Sequence, residues 1–163
     1  MAIKATPNGT YGTKMPAEKL MQTLFKPMAK RGIAAYRRTG GKNRMATMMG
    51  FPVVLLTTKG AKSGQERTVS VAGFGEGDET WLVIASAGGS HRHPAWFNNM
   101  VKHPDDIWLE VGSRKMKVTG ESLHGREREE TLARIAAGTP RFGGYQKKTD
   151  REIPIVRLTR VSG

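Results

Sequence analysis

The chain has 163 residues with 37% hydrophobic content, enough for one apolar core and short for two. Its 27 Lys and Arg against 14 Asp and Glu leave a formal net charge of +13, a field that draws nucleic acid, anionic lipid or a polyanionic small molecule. The sequence has no cysteine, which excludes disulfides, iron–sulfur clusters and thiolate zinc sites and agrees with a reducing, cytoplasmic setting.

Residues 1–15 carry Gly, Pro, Asn and Thr with little apolar content and read as a flexible, dispensable tail. They lack the apolar centre of a secretory signal, and no window approaches the roughly 18 apolar residues of a membrane span, so neither is expected. From residue 16 onward a single domain is expected. Leu20, Leu24 and Met28, flanked by Met21 and Phe25, recur at helical spacing beside Lys19, Lys26, Lys30 and Arg31. This is a basic amphipathic helix, and Pro27 predicts a kink or a division in it. Its expected place is against the main body; a second reading lays residues 17–38 on an anionic membrane. Residues 37–42 read as a basic, flexible joint.

From residue 51 the pattern becomes β. Residues 51–58 and 67–74 form a predicted hairpin around a polar turn, and residues 81–85, apolar throughout, suggest a strand buried on both faces. After a glycine-rich loop, Pro94 is placed to start a short helix carrying Trp96 and Phe97. Alternation around Ile107, Leu109, Val111, Met116 and Val118 predicts two strands joined at Gly112 and Ser113. Residues 125–137 read as a helix with Leu132 and Ile135 apolar and Glu127, Arg128, Glu129 and Arg134 solvated; residues 153–158 are a last strand. Six strands with few helices between them exclude a doubly wound sheet and favour a small barrel.

Several groupings can carry chemistry. The turn at residues 57–67 gathers Lys59, Lys62, Ser63 and Arg67 with two glycines, a set suited to phosphate, although Ala61 before Lys62 breaks the Walker pattern. The alternative is a solvated hairpin tip. Small residues Ala85, Ser86 and Ala87, followed by two glycines, let backbone approach a flat ligand, with Trp96 as a wall and Asn99 as a hydrogen-bonding group for a ring heteroatom. The alternative is a core tryptophan and a capping asparagine. His91, His93 and His103 match no catalytic zinc spacing, so no metal is expected. No nucleophile elbow exists, which disfavours a hydrolase. Residues 142–151 place Phe142 and Tyr145 on a flexible segment, where Tyr145 is a proton donor, a lid residue or packing.

The stretches LLTTKGAKSGQERTVSV, WLVIASAGGSHRHPAWFNNMVKHPD and YQKKTDREIPIVRL together resemble the deazaflavin-dependent nitroreductase family, F420-dependent reductases of actinobacteria, in order over residues 37–160. The resemblance implies a mainly β (α+β) split β-barrel of about six to seven strands, related to the FMN-binding pyridoxamine-phosphate-oxidase fold, with an N-terminal helix and short peripheral helices. It implies coenzyme F420, reduced, as hydride donor. Lys62, Ser63 and Arg67 would hold its phosphate, with Val69 on the following strand, while Ala85, Ser86, Ala87, Trp96 and Asn99 lie along the deazaflavin. Phe142 and Tyr145 would border the substrate pocket, and Ser86 and Tyr145 are the catalytic candidates, polarising an acceptor carbonyl. Ala61 and Ala87 stand where family members often carry Arg or Lys, and Phe142 where the nitroimidazole-activating member has tyrosine.

The implied activity is hydride transfer to quinones, enones or other α,β-unsaturated carbonyls, with nitro compounds as further candidates. A non-catalytic F420 or lipid carrier is the alternative. The chain lacks the interleaved aromatics and the motifs of nucleic-acid binders, so no nucleic acid is expected. The expected partners are small-molecule acceptors and the inner face of the membrane, with the protein a monomer or a homodimer.

Overall fold

Residue alternation along the longest strand shows how the sheet divides inside from outside. In β2 (Glu66–Gly75) the side chains of Val69 and Val71 pack on the interior, while Ala72 and Phe74 join an apolar cluster on the outer face. The computed structural model describes residues 3–14 and 18–162, and the side chains of all of these except 18–23. Within them β1 (Val53–Lys59), β2, β3 (Thr80–Ile84), β4 (Ile107–Val111), β5 (Arg114–Ser122) and β6 (Ile155–Arg160) form a closed barrel in the order β1-β2-β3-β6-β5-β4. Every pairing is antiparallel, with Val54 opposite Val71, Val83 opposite Val156 and Leu109 opposite Met116. Closure removes the free edges that an open sheet of this composition would expose.

The barrel is filled by Val54, Leu56, Val83, Leu109, Val118 and Leu158, and plugged at one end by Phe97 and Met100 from α3 (Ala95–Lys102). Each fully buried Leu or Phe contributes about 1.5–3 kcal/mol of burial free energy. Gly73 permits the close crossing of β2 over β1, because a Cβ there would sit 2.6 Å from a methyl of Val54. A second cluster lies outside the barrel: Leu82, Ile84 and Ile153 are covered by Leu132 and Ile135 of α4 (Gly125–Gly138) and by Phe142 of α5 (Pro140–Lys147).

Several sequence expectations need correction. Residues 3–14 are not a loose tail but a strap across the barrel. Ile3 is buried, Lys4 N donates to Ser122 Oγ at 2.9 Å, Gly9 N to His91 O at 2.7 Å, Thr10 Oγ1 to Asp150 Oδ2 at 2.6 Å and Thr13 N to Gly89 O at 2.9 Å. Alternating sequence composition gave no sign of it because backbone groups make most of these bonds. Helix α1 (Glu18–Thr39) runs through Pro27 without division. The expected apolar positions Leu20 and Met21 and the expected tail boundary at residues 15 and 16 lie outside the described residues or side chains. Among the described side chains of α1 the last turns pack: Tyr36 is 3% exposed and donates to Val53 O at 2.9 Å, and Arg37 grips Glu110 through two 2.9 Å bonds. Leu24, at 62% exposure, and Met28 face outward, against the expectation of a helix packed along its length. Arg128, read as solvated, is buried, with Nη2 donating to Ile153 O at 2.8 Å. The segment read as flexible around Tyr145 is helix α5, which tolerates Gly143 and Gly144 because its outer-cluster contacts offset their low helix propensity. Among the described residues no helix is long and apolar enough to cross a membrane.

Candidate functional site

Strand β2 leads from the basic turn to a cavity. The turn after β1 is closed by Gly60 N donating to Gln65 O at 2.7 Å and Gly64 N to Gly60 O at 2.9 Å, and Ser63 Oγ accepts from Gln65 N at 3.2 Å. Lys62, Ser63 and Arg67 are exposed there, and among the described residues neither cation has a carboxylate partner. About 13 Å along β2, at four residues of about 3.3 Å each, Val71 borders a cavity of about 260 Å³.

That cavity brings together Ser86, Ala87, Trp96, Phe142 and Tyr145, five of the residues singled out in the sequence. Ser86 and Ala87 come from the loop after β3, Trp96 from the first turn of α3, and Phe142 and Tyr145 from one face of α5. Phe142 is held edge-on by Phe51, Phe74 and Tyr145, with ring centroids 5.6–5.8 Å apart, a geometry favoured by ring quadrupoles. Ala87 has φ of 45°, and Gly88 and Gly89 have φ of 62° and 85°. The loop thus turns back on itself and leaves open space beside Gly88. An apolar groove of about 470 Å³ runs on from the cavity, sharing Met49, Phe51 and residues 70–72, and is walled by α1 and α2 (Arg44–Met48). Val69 lines this groove rather than the cavity.

Two expected site residues lie outside the lining of this cavity. The Ala85 side chain is fully buried in the barrel. Asn99 is buried, with Oδ1 accepting from Ala61 N and Nδ2 donating to Thr58 Oγ1, so it holds the start of the basic turn and keeps one amide N–H beyond these bonds. Sequence reasoning also missed Arg141, which lines the cavity with its guanidinium carbon 5.2 Å from the centre of the Phe51 ring. Its spacing of four from Tyr145 was the available signal, hidden while the segment was taken as loop. Among the described residues no cluster of His, Cys, Asp or Glu is arranged to hold a metal.

The family described as F420H(2)-dependent quinone reductase matches residues 28–160, spanning both the basic turn and the cavity. The chain belongs to that family. It is therefore an oxidoreductase, and the family's reduced coenzyme is F420H(2). Among relatives, an F420H(2)-dependent quinone reductase of Mycobacterium tuberculosis H37Rv is 35% identical over 132 residues, covering 78% of this chain and 86% of the relative. Among solved structures, an F420-H2 dependent reductase, FDR-A, is 35% identical with a TM-score of 0.58, covering 66% of this chain and 93% of its own. Another, described as a domain-swapped dimer, is 29% identical with a TM-score of 0.61 and covers 88% and 99%. The barrel implied by the sequence motifs is the architecture of this chain, and both structures resemble it over the parts covered.

The residues present suit this coenzyme. A flat apolar slot floored by small residues takes an aromatic ring, and uncompensated cations at the far end of β2 take a phosphate and a carboxylate tail. Lys62, Ser63 and Arg67 are the residues that would hold the anionic end, and Ser86, Ala87 and Trp96 those that would lie against the ring.

Proposed function

We propose that the protein reduces quinones and related α,β-unsaturated carbonyls with F420H(2), using the cavity beside Ser86 and Tyr145 as the place where the acceptor meets the coenzyme. The observation that carries this reading is the alignment along β2: one strand joins an apolar cavity holding Ser86, Trp96 and Tyr145 to Lys62 and Arg67 at its other end, which meet no carboxylate among the described residues.

When bound, reduced F420 supplies the hydride. The protein's part is orientation and charge. Trp96 and the Ala87–Gly89 loop wall the slot, and Phe142, locked among three other rings, limits the depth to which an acceptor enters. Among the described residues the hydrogen bonds of Ser86 and Tyr145 run through their backbone carbonyls, which leaves both hydroxyls for an acceptor oxygen. Arg141 adds a positive charge at the same wall and favours the negative charge that develops on that oxygen as carbon is reduced. Reduction then needs one proton at oxygen, and Tyr145 is placed to pass it. No protein nucleophile is required.

We further propose membrane contact, a reading supported by the exposed face of α1. Leu24, Phe25 and Met28 lie open beside Lys26, Lys30 and Arg31, and Met45 and Met48 of α2 continue the apolar surface. This is the composition of a helix that rests on anionic lipid, where a lipophilic quinone is available. Co-sedimentation with anionic and neutral vesicles, comparing the full chain with one lacking residues 1–38, tests it: retention that is equal for the two proteins removes the idea.

The deciding experiment is titration of the purified protein with F420 and separately with FMN, followed by menadione or cyclohexenone added to the protein with reduced F420. Tight F420 binding and protein-dependent reoxidation are expected. Binding without reoxidation makes the protein a carrier, and preference for FMN removes the coenzyme assignment.

A further inference from the structure

Behind the loop that carries Ser86 and Ala87 lies a buried charge. Arg151, between α5 and β6, is 1% exposed and meets no carboxylate among the described residues. Burial pushes its guanidinium down to about 10, so it stays charged at neutral pH. Its partners are carbonyl oxygens of one loop: Nη1 donates to Ala85 O at 2.9 Å, Nη2 to Ser86 O at 2.8 Å and Nε to Ser90 O at 3.0 Å. Nη1 also meets His93 Nδ1 at 2.8 Å. A guanidinium only donates, so Nδ1 accepts and the imidazole proton sits on Nε2, which donates to Thr6 O at 2.8 Å.

In a planar trans peptide the C=O and N–H point opposite ways. Drawing the Ala85 and Ser86 carbonyls toward Arg151 therefore turns the Ser86 and Ala87 N–H groups away from it, and neither finds a protein acceptor among the described residues. Ser86 is right-handed helical and Ala87 left-handed, the pairing that converges successive N–H groups into a concavity for negative charge. A non-glycine residue keeps that left-handed conformation only where its surroundings hold it. The positive charge behind the same peptides polarises them further in the direction of the cavity.

We propose that Arg151 is a positioning residue for the ligand-facing loop: it holds three carbonyls inward so that the Ser86 and Ala87 N–H groups act as donors to negative charge on the bound coenzyme. The inference rests on the reading of residues 86–88 as the coenzyme wall. Arg151 also ties that wall to its neighbours. Its carbonyl accepts from Gln146 Nε2 at 2.7 Å, next to Tyr145 on α5, and its N–H donates to Thr149 Oγ1 at 3.1 Å, which in turn donates to Tyr11 O at 2.7 Å in the strap. One side chain and its backbone thus set the loop, the catalytic helix and the N-terminal strap relative to each other.

The test uses the full chain with Arg151→Met and Arg151→Lys, followed by amide hydrogen exchange without coenzyme, F420 titration and steady-state kinetics with menadione. The Gly89 and Ser90 amides, which donate to Ser86 O and Ala87 O, are expected to exchange about tenfold faster in Arg151→Met, while β3 and β6 amides keep their protection. F420 affinity falls about tenfold while the KM for menadione moves less than about twofold, and Arg151→Lys, which keeps the charge but not the fork, recovers part of the loss. Uniformly faster exchange across β3 and β6, or unchanged F420 affinity despite a loosened loop, overturns the proposal. If Arg151→Met does not fold, His93→Phe removes one guanidinium partner and the link to Thr6, and the same loop-confined pattern is expected at smaller size; an unchanged loop overturns the proposal. Wild-type protein that binds no F420 removes the functional reading instead, and the exchange pattern still decides whether Arg151 holds the loop.

Discussion

Asn99 Oδ1 accepts the Ala61 backbone N–H at 2.9 Å, while Nδ2 of the same side chain donates to Thr58 Oγ1 at 3.1 Å. A buried amide on α3 thereby fixes the start of the turn that displays Lys62 and Arg67. Asn99→Ala leaves that amide and hydroxyl without partners in a buried place and is expected to cost about 1–3 kcal/mol in urea denaturation. F420 affinity should fall as well, with little change in kcat once coenzyme saturates, since the residue shapes the turn and does not touch the cavity.

Lys62 and Arg67 pull the other way. Both are exposed and, among the described residues, without a carboxylate partner, so Lys62→Ala and Arg67→Ala should shift stability by no more than about 0.5 kcal/mol. Each should weaken F420 binding and flatten its dependence on ionic strength, because an exposed cation acts through a screened field. Isothermal titration at low and high salt reads both effects. Equal salt slopes in wild type and variants would place the anionic end of the coenzyme elsewhere.

His93 gives the fold a pH dependence. Burial holds its imidazole below the usual 6.5, with the Arg151 charge adding to the effect and the bond to Thr6 opposing it. A base whose folded value is depressed binds fewer protons folded than unfolded in the window just below 6.5. Stability is therefore complete above about 6.5 and declines as pH falls below it, with a slope of at most about 1.4 kcal/mol per pH unit from this one residue. Denaturation between pH 5 and 8 should show that decline, and His93→Phe should remove its share of it.

Gly12 lets the strap lie against the site loop. A Cβ there would come within 2.6 Å of Gly89 O and 2.8 Å of the Ser90 carbonyl carbon, backbone that cannot swing aside. Gly12→Ala is expected to cost about 1–3 kcal/mol and to open residues 3–14 to limited proteolysis while the barrel stays resistant. A protease pattern like that of wild type would show that the strap accommodates the methyl group.

Much of the site was readable because its residues cluster in sequence. Ser86 and Ala87 follow a strand whose continuous apolar run marks it as central, and Trp96 sits one turn into a helix announced by Pro94. Both signals are local, and the structure puts all three residues in one cavity. Arg141 was missed for a local reason too: Gly143 and Gly144 lower helix propensity, and only packing of Phe142 against Phe51 and Phe74 makes that segment helical. The bonds of Asn99 to Thr58 and Ala61 were not legible in the sequence, because they join α3 to the end of β1 and the turn after it, 41 and 38 residues away.

The amino-acid sequence by itself determined the six strands, helices α1, α3 and α4, the basic turn, the small-residue loop and the family, since each rests on periodicity, composition or motifs carried within a short span. Tertiary structure decided which of these meet. That the strap at residues 3–14 is bound rather than loose, that Arg128 and Arg151 are buried, and that Tyr145 and Ser86 line one cavity all depend on contacts between residues far apart in the chain. Such contacts form only when barrel closure brings their backbone groups within hydrogen-bond distance.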